Sequence, residues 1–233
     1  MYKKIFKRNE LKFVLTKRQK EILLNDFKDY IKIDQYGLTK ICNIYFDTNT
    51  YLLIRKSIEK PLYKEKIRIR SYGEINIDDD VFVEVKKKYD HVVYKRRLAL
   101  KEEEAINWLL KKEKCTKEGQ IVNEIDYFIH FYENLEPKLF LSYDREAYIS
   151  DELNEFRITF DENICARVDN FTFKNNSGGI NILDEDKVLM EIKCLGGLPL
   201  WLTKVLSREK IYKTSFSKYG EAYKKLIFKN KEI

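Results

Sequence analysis

One pattern recurs along this chain and limits what it can fold into. Short segments alternate apolar and polar residues, and their polar positions pair charged or hydrogen-bonding groups two residues apart. Glu10 and Lys12 share a face, as do Lys66, Arg68 and Arg70, Glu84 and Lys86, and Lys95 and Arg97. Tyr143 and Arg145 repeat it, followed by Arg157, Thr159 and Asp161, and by Glu191 and Lys193. Residues two apart on a strand lie about 6.5–7 Å apart and point the same way. The alternate positions are apolar: Leu11, Phe13, Ile67, Ile69, Val83, Val85, Ile158, Phe160 and Ile192. One strand with a charged face is ordinary solvated surface. Seven of them, with apolar reverse positions on most that helices can cover, predict that the charged faces line the interior of a closed sheet. Such a lining needs an anion or water to compensate its cations.

The segments between these strands read as helices and hairpins. Asn9–Leu15 is a strand, and Thr16 with Gln19 forms a capping box for a helix bearing Ile22, Leu23 and Phe27 on one stripe. Ile41–Asp47 is a strand, followed by a short helix over Thr48–Ser57 capped by Thr48 or Thr50. Tyr63–Ser71, Val81–Lys88 and Val92–Leu100 are strands, with a turn at Tyr89-Asp90-His91. Glu102–Lys112 and Val122–Tyr132 are helices. Lys138–Ser150, Glu155–Ile164 and Ala166–Phe173 read as three strands, Asn175–Gly179 as a loop and Lys187–Cys194 as the last strand. Pro199 opens a helix, and Ser217–Phe228 closes the chain as another. Hairpin-like neighbours dominate and the order is not βαβ-repeating. The expected class is α+β, an antiparallel β-barrel with flanking helices in a single domain over residues 1–233.

Charge and composition narrow the function. The formal net charge is +7, which points to an anionic partner. The aromatic content argues against disorder. Cys42, Cys115, Cys165 and Cys194 form no C-x-x-C pair and read as reduced, mostly buried thiols. Two histidines, His91 and His130, make a His-based zinc site improbable. No apolar run is long enough to span a membrane, and the basic stretch Met1–Arg8 lacks an apolar signal core, so the expected location is cytoplasmic. The aromatics fall on apolar faces, which disfavours nucleic acid as partner. Gly196-Gly197 lacks the spacing of a P-loop.

The ordered motifs RNELKF (Arg8–Phe13), NIYFDT (Asn43–Thr48), KIRIRSYG (Lys66–Gly73), FVEVKKK (Phe82–Lys88), KRRLALKE (Lys95–Glu102), LSYDREAY (Leu141–Tyr148), FRITFDENI (Phe156–Ile164), VLMEIKC (Val188–Cys194) and FSKYGEAY (Phe216–Tyr223) carry a resemblance. Over roughly Phe6 to Leu226 the chain resembles the VTC domain. That is the polyphosphate polymerase domain of the vacuolar transporter chaperone type, within the triphosphate tunnel metalloenzyme superfamily of eight-stranded barrels. The resemblance implies that Lys12, Arg68, Arg70, Lys86, Lys95, Arg145 and Arg157 form the catalytic basic lining. It implies that Tyr143, Lys193, Ser217 and Lys218 bind substrate. It makes Glu191 the metal-ligand carboxylate, with Glu10 a second candidate, and Mn²⁺ or Mg²⁺ the cofactor. Related hydrolases and cyclases begin with an E-x-E-x-K strand; here Arg8 replaces one carboxylate, which favours the polymerase over the hydrolase.

The function expected from the resemblance is transfer of the ATP γ-phosphoryl group to orthophosphate or a growing polyphosphate end, releasing ADP. The alternatives are a tripolyphosphatase or nucleoside triphosphatase on the same fold, and a non-catalytic polyphosphate-binding module. The expected partners are ATP and polyphosphate, with a separate membrane protein where the product must cross a membrane. Oligomeric state is left open.

Overall fold

The computed structural model describes residues 8–73, 75–76, 79–90, 92–153, 155–174 and 178–228. His91, residues 175–177 of the expected loop and residues 1–7 of the basic N-terminal stretch lie outside them. The strands are β1 (Arg8–Thr16), β2 (Lys32–Ile33), β3 (Thr39–Asp47), β4 (Tyr63–Tyr72) and β5 (Asp80–Tyr89). They continue as β6 (Val92–Lys101), β7 (Glu136–Ile149), β8 (Arg157–Arg167), β9 (Ile180–Asn181) and β10 (Lys187–Leu195). The helices are α1 (Lys17–Phe27), α2 (Leu52–Glu59), α3 (Glu102–Lys111), α4 (Gln120–Phe131), α5 (Leu200–Arg208) and α6 (Lys218–Tyr223). A π-helical turn, Lys224–Phe228, extends α6.

The strands pair in the order β1-β10-β8-β7-β3-β4-β5-β6, with β2 on β7 and β9 on β8. Every printed register is antiparallel, as the hairpin spacing predicts. Ladder closure into a barrel is not seen: among the described residues the path ends at β1 and β6. The outer edge of β1 is occupied locally instead. Phe13 bridges Lys213, and Thr214 N donates to Lys12 O at 2.8 Å. A strand edge satisfied by a returning segment is closed to another ladder there.

The chain groups into two compact units. The first takes in the chain up to Thr39, with Tyr143–Ile164 and Leu183–Ser217. Its core sets the apolar faces of β1, β8 and β10 against α1 and α5: Phe13, Leu15, Ile158, Phe160, Met190 and Ile192 meet Leu23, Phe27, Leu202 and Leu206. The second takes in Lys40–Ser142, Cys165–Ile182 and the chain from Lys218. There Ile44, Ile67, Ile69, Val83 and Val85 pack with Trp108, Leu109, Ile125, Phe128 and Ile129 of α3 and α4. Each fully buried aliphatic or aromatic side chain contributes about 1.5–3 kcal/mol of transfer free energy. In both units, then, the apolar strand faces lie under helices and the charged faces point the other way.

Local chemistry explains the helix starts. Thr16 Oγ1 accepts from Gln19 N at 3.1 Å while Thr16 N donates to Gln19 Oε1 at 2.9 Å, the expected capping box. For α2, of the two expected caps Thr48 is found, and it shares the helix start with Asp47. The buried Asp47 carboxylate, at the end of β3, accepts from Leu53 N and Ile54 N at 2.9 Å each, and Thr48 Oγ1 accepts from Leu52 N at 3.0 Å. Burial raises the Asp47 pKa, against the N–H groups of Leu53, Ile54 and Thr48, which favour its charged form.

The expected strand Ala166–Phe173 is not formed. Strand β8 runs unbroken to Arg167, through Asn163 in the left-handed region at φ 50°. The chain then turns at Asn170, φ 45°, where Arg167 Nη2 donates to Asn170 O at 2.9 Å. Asn tolerates this backbone better than most residues. Cys42, Cys115 and Cys194 are buried, Cys165 is half-buried, and all four are free. Among the described residues no helix is long and apolar enough to cross a membrane.

Candidate phosphate-binding site

In the second unit, antiparallel register turns the i, i+2 pattern into rows across β3 to β6. Tyr45, Arg68, Glu84 and Arg97 stand opposite one another in one row. Lys66, Lys86 and Lys95 form the next. Asn43 and Arg70 begin a third that continues to Phe82. Six Lys and Arg side chains and a single carboxylate, Glu84, occupy this stretch of the charged face.

Glu84 organises the face. It is 2% exposed. Its Oε2 accepts from Arg68 Nε at 2.9 Å and Nη2 at 2.7 Å. Its Oε1 accepts from Arg97 Nε at 2.6 Å and lies 2.6 Å from Lys95 Nζ. Arg70 Nε is 3.8 Å away and is held by Asn43 Oδ1 at 2.9 Å. Burial alone would raise the Glu84 pKa; Arg68, Arg70 and Lys95 overcome it and hold the carboxyl well below the usual range. Burial and then the cations Arg97 and Arg68 push the Lys95 ammonium down, against the pull of Glu84. Arg97 also packs 4.3 Å over the Phe82 ring and hydrogen bonds Tyr72 Oη.

A buried aromatic support lies beneath Arg68. Tyr45 Oη receives Arg68 Nη1 at 2.8 Å, and its ring stacks on Tyr219 at 4.6 Å. Tyr219 Oη donates to Asp47 Oδ2 at 3.0 Å, so the residue that caps α2 also anchors this stack. Burial raises the Tyr45 pKa, but Arg68, Arg70 and Lys218 lower it on balance.

The first unit carries a differently composed set. Lys12 Nζ lies 3.3 Å from Glu191 Oε1 and 3.6 Å from Glu10 Oε1, and donates to Phe216 O at 3.1 Å. Arg145 donates to both Asp161 oxygens at 2.6 Å and reaches Glu191 Oε2 at 3.7 Å. Its guanidinium sits 5.1 Å over the buried Tyr143 ring. Desolvation works against the Arg145 charge, and Tyr143, Asp161 and Glu191 more than offset it, so its pKa stands well above the usual value. Arg157 Nη2 donates to Asp34 Oδ2 at 2.6 Å. Lys193 stands in register with Glu10 and Arg157.

Most of the sequence-predicted residues therefore lie on charged strand faces, in one set or the other. Arg68, Arg70 and Lys95 converge on Glu84; Lys86 shares their face but is exposed. Lys12, Glu10, Glu191 and Arg145 converge in the first unit, while Arg157 is drawn to Asp34. Ser217 is half-buried, and Lys218 begins α6. Arg97, which shares a face with Lys95, pairs with Glu84. Sequence reasoning missed Tyr45, Asp34 and Asp161 as partners. Tyr45 was findable, two residues from Asn43 on the same face; Asp34 lies outside any alternating segment and gave no signal.

The fold family implies a divalent metal. Among the described residues no group of three or more His, Cys, Asp or Glu side chains gathers as a protein-only cage. Glu191 and Glu10, both close to Lys12, offer two carboxylates, and hard cations shared with phosphates take one or two. Thr159 Oγ1, in register with Glu191, is buried without a hydrogen-bond partner and adds an oxygen donor on that row. The donor set fits an ion shared with substrate.

Comparison with known proteins agrees. The family model of the VTC domain matches residues 7–227. Among solved structures, a candidate adenylate cyclase of Bacillus halodurans superposes with a TM-score of 0.56 at 15% identity, covering 95% of this chain and 99% of that one. A candidate adenylyl cyclase of Hippeastrum, described as having a dominant triphosphatase activity, gives 0.52 at 12% identity, covering 93% and 94%. These likenesses establish the fold. No curated protein matches the chain in sequence.

Proposed function

The chain belongs to the VTC domain family, and from that premise we propose that it is an ATP-dependent polyphosphate polymerase. The observation that carries the reading is the cation excess in three adjacent rows of the β4–β6 face: Lys66, Arg68, Arg70, Lys86, Lys95 and Arg97 against Glu84, the one carboxylate of those rows. An array of fixed cations spaced at strand intervals suits an anion whose charges repeat, as a phosphate chain does.

In the proposed reaction a terminal oxygen of orthophosphate or polyphosphate attacks the γ-phosphorus of ATP. A new P–O bond forms as the bond to the β–γ bridging oxygen breaks, and ADP leaves with that oxygen. Phosphoryl transfer depends on positioning and charge neutralisation more than on covalent help. Arg68 and Arg97, aimed by Glu84, present N–H groups to phosphoryl oxygens, and Arg70 does so from its bond to Asn43. Lys86 and Lys95 add point charges along the next row. Lys12, Arg145, Arg157 and Lys193 neutralise phosphoryl groups in the first unit, with Tyr143 supporting Arg145; Ser217 and Lys218 are each proposed to contact a phosphoryl group. No general base is required, because the acceptor is already anionic. Mn²⁺ or Mg²⁺ held by Glu191, with Glu10 as second carboxylate, supplies further charge neutralisation when bound.

A hydrolytic reading has one observation in its favour, the triphosphatase activity described for the Hippeastrum neighbour. One experiment separates them. Purified protein is incubated with ATP and Mn²⁺ beside Arg68→Ala and Glu191→Ala variants, and products are resolved on a gel stained for polyphosphate with ADP quantified. Long chains with matching ADP, lost in both variants, are expected. Orthophosphate without chains supports the hydrolase, and triphosphate binding without turnover leaves a binding module.

A further inference from the structure

A second feature lies on the helix-covered side of β4, facing away from the row of Arg68 and Glu84. A cavity of about 280 Å³ opens between α2, β4, β5 and α4 of the second unit. At its base Glu65 is buried and accepts from Tyr63 Oη at 2.6 Å and Tyr132 Oη at 2.7 Å. No Lys or Arg among the described residues lies within ion-pair distance of Glu65, which is unusual for a buried carboxylate. The tyrosine hydroxyls fill one hydrogen-bonding position on each oxygen, and a carboxylate oxygen takes two.

The wall is aromatic and wet. Tyr127 and Phe131, one turn apart on α4, stack at 6.0 Å and are 67% and 62% exposed. Exposed aromatic pairs of this size on a helix face mark binding surfaces more often than chance. The cavity is also lined by Lys56, Lys64 and Lys87; Lys64 Nζ donates to Ser57 O at 3.1 Å, and Lys87 stands across from Glu65 in the β4–β5 register. The cavity thus combines an acceptor at the base, flat aromatic walls and lysines at its rim. A ligand that meets all three is flat, bears an amino group and carries an anion.

We propose that this cavity binds an adenine nucleotide, with the base against Tyr127 and Phe131, its amino group donating to Glu65, and its phosphate on Lys56 and Lys87. The volume stands at the lower end of small-molecule sites, which begin near about 300 Å³. It holds a purine base and leaves the phosphate among the lysines. The site is independent of the charged strand faces and of whether they make or cleave phosphate chains.

The test is calorimetric titration of AMP into the full chain, with tripolyphosphate present at saturation to occupy the charged strand faces. One equivalent of AMP is expected to bind. Ribose 5-phosphate, which lacks the base, is expected to give no heat. Phe131→Ala is expected to weaken AMP roughly tenfold, the scale of one lost base–aromatic stack. Because Phe131 is largely exposed, that variant keeps the fold; circular dichroism checks this. Glu65→Gln is expected to weaken AMP similarly while leaving ribose 5-phosphate silent. No AMP heat in the unsubstituted protein overturns the proposal. So does AMP binding that Phe131→Ala leaves unchanged, or equal heats from AMP and ribose 5-phosphate. Failure of ATP turnover in the polymerase assay bears on the proposed reaction and not on this result.

Discussion

The two charged sets are built from the same charged residue types, but one is short of carboxylates and the other nearly balanced. Around Glu84, one buried carboxylate serves Arg68, Arg97, Lys95 and, at longer range, Arg70. Around Glu191, the cations Lys12, Arg145 and Arg157 each find a carboxylate among Glu10, Glu191, Asp161 and Asp34. The first set gathers its cations around one carboxylate and is short of negative charge. The second is close to neutral by itself. An anion therefore gains more by approaching the Glu84 set, whereas a cation shared with phosphate finds its carboxylates in the Glu191 set. Strand geometry is common to both; the count of carboxylates assigns the chemistry.

The largest effect separating the sets is expected from Arg145→Ala. It leaves Asp161, which is 0% exposed, as a buried charge without its bidentate partner. Breaking a buried pair from one side costs about 3–5 kcal/mol. Urea unfolding checks it, and a loss under about 1 kcal/mol would show that the pair is solvated.

Next comes Glu84→Gln, which leaves the cations without their common counter-charge. It is expected to lower the melting temperature in low salt, and millimolar tripolyphosphate is expected to recover most of the loss. An equal loss with and without tripolyphosphate would mean that the face does not take phosphates. The same residue sets a pH dependence. Its folded pKa is depressed below the ordinary 4.5. The stability it contributes is therefore complete above that value and is lost as pH falls below it toward the folded pKa. Unfolding free energy followed downward from pH 5 should fall more steeply in the natural protein than in Glu84→Gln.

A smaller effect is expected from Tyr45→Phe, which removes the hydroxyl that receives Arg68 Nη1. Tripolyphosphate affinity should weaken a few-fold, about 0.5–1.5 kcal/mol for one hydrogen bond, with the fold intact. Unchanged affinity by calorimetry would show that Glu84 alone orients Arg68. The smallest effect is expected from Thr159→Val. The buried Oγ1 has no partner, so an isosteric apolar side chain should leave stability unchanged or raise it by up to about 1 kcal/mol. Weaker activation by Mn²⁺ in that variant would tie the hydroxyl to the metal row.

Much of this was legible in the chain. Period-two alternation revealed both faces of β1, β4, β5, β6, β8 and β10, because a strand cannot place neighbours on the same side. The capping box at Thr16 was readable because its partners are three residues apart. The cap on α2 was legible at Thr48 but not at Asp47, which reaches past a turn to Leu53 and Ile54. The length of β8 was misjudged because Asn163 can sit left-handed inside a strand as easily as in a turn.

Sequence by itself determined which side chains are charged, which face of each strand they occupy, and the family whose ordered motifs they match. These are consequences of local backbone geometry and residue order. Tertiary structure decided the partners. Register across β3 to β6 brought Arg68 and Arg97 onto Glu84, and pairing of β1 with β10 set Lys12 beside Glu191. It also decided that the outer edge of β1 goes to Lys213 and Thr214, and that Glu65, across from Lys87 in the β4–β5 register, takes its hydrogen bonds from two tyrosines. A charge meets its partner through contacts between residues distant in the chain, and alternation along one strand carries no record of which strand will lie beside it.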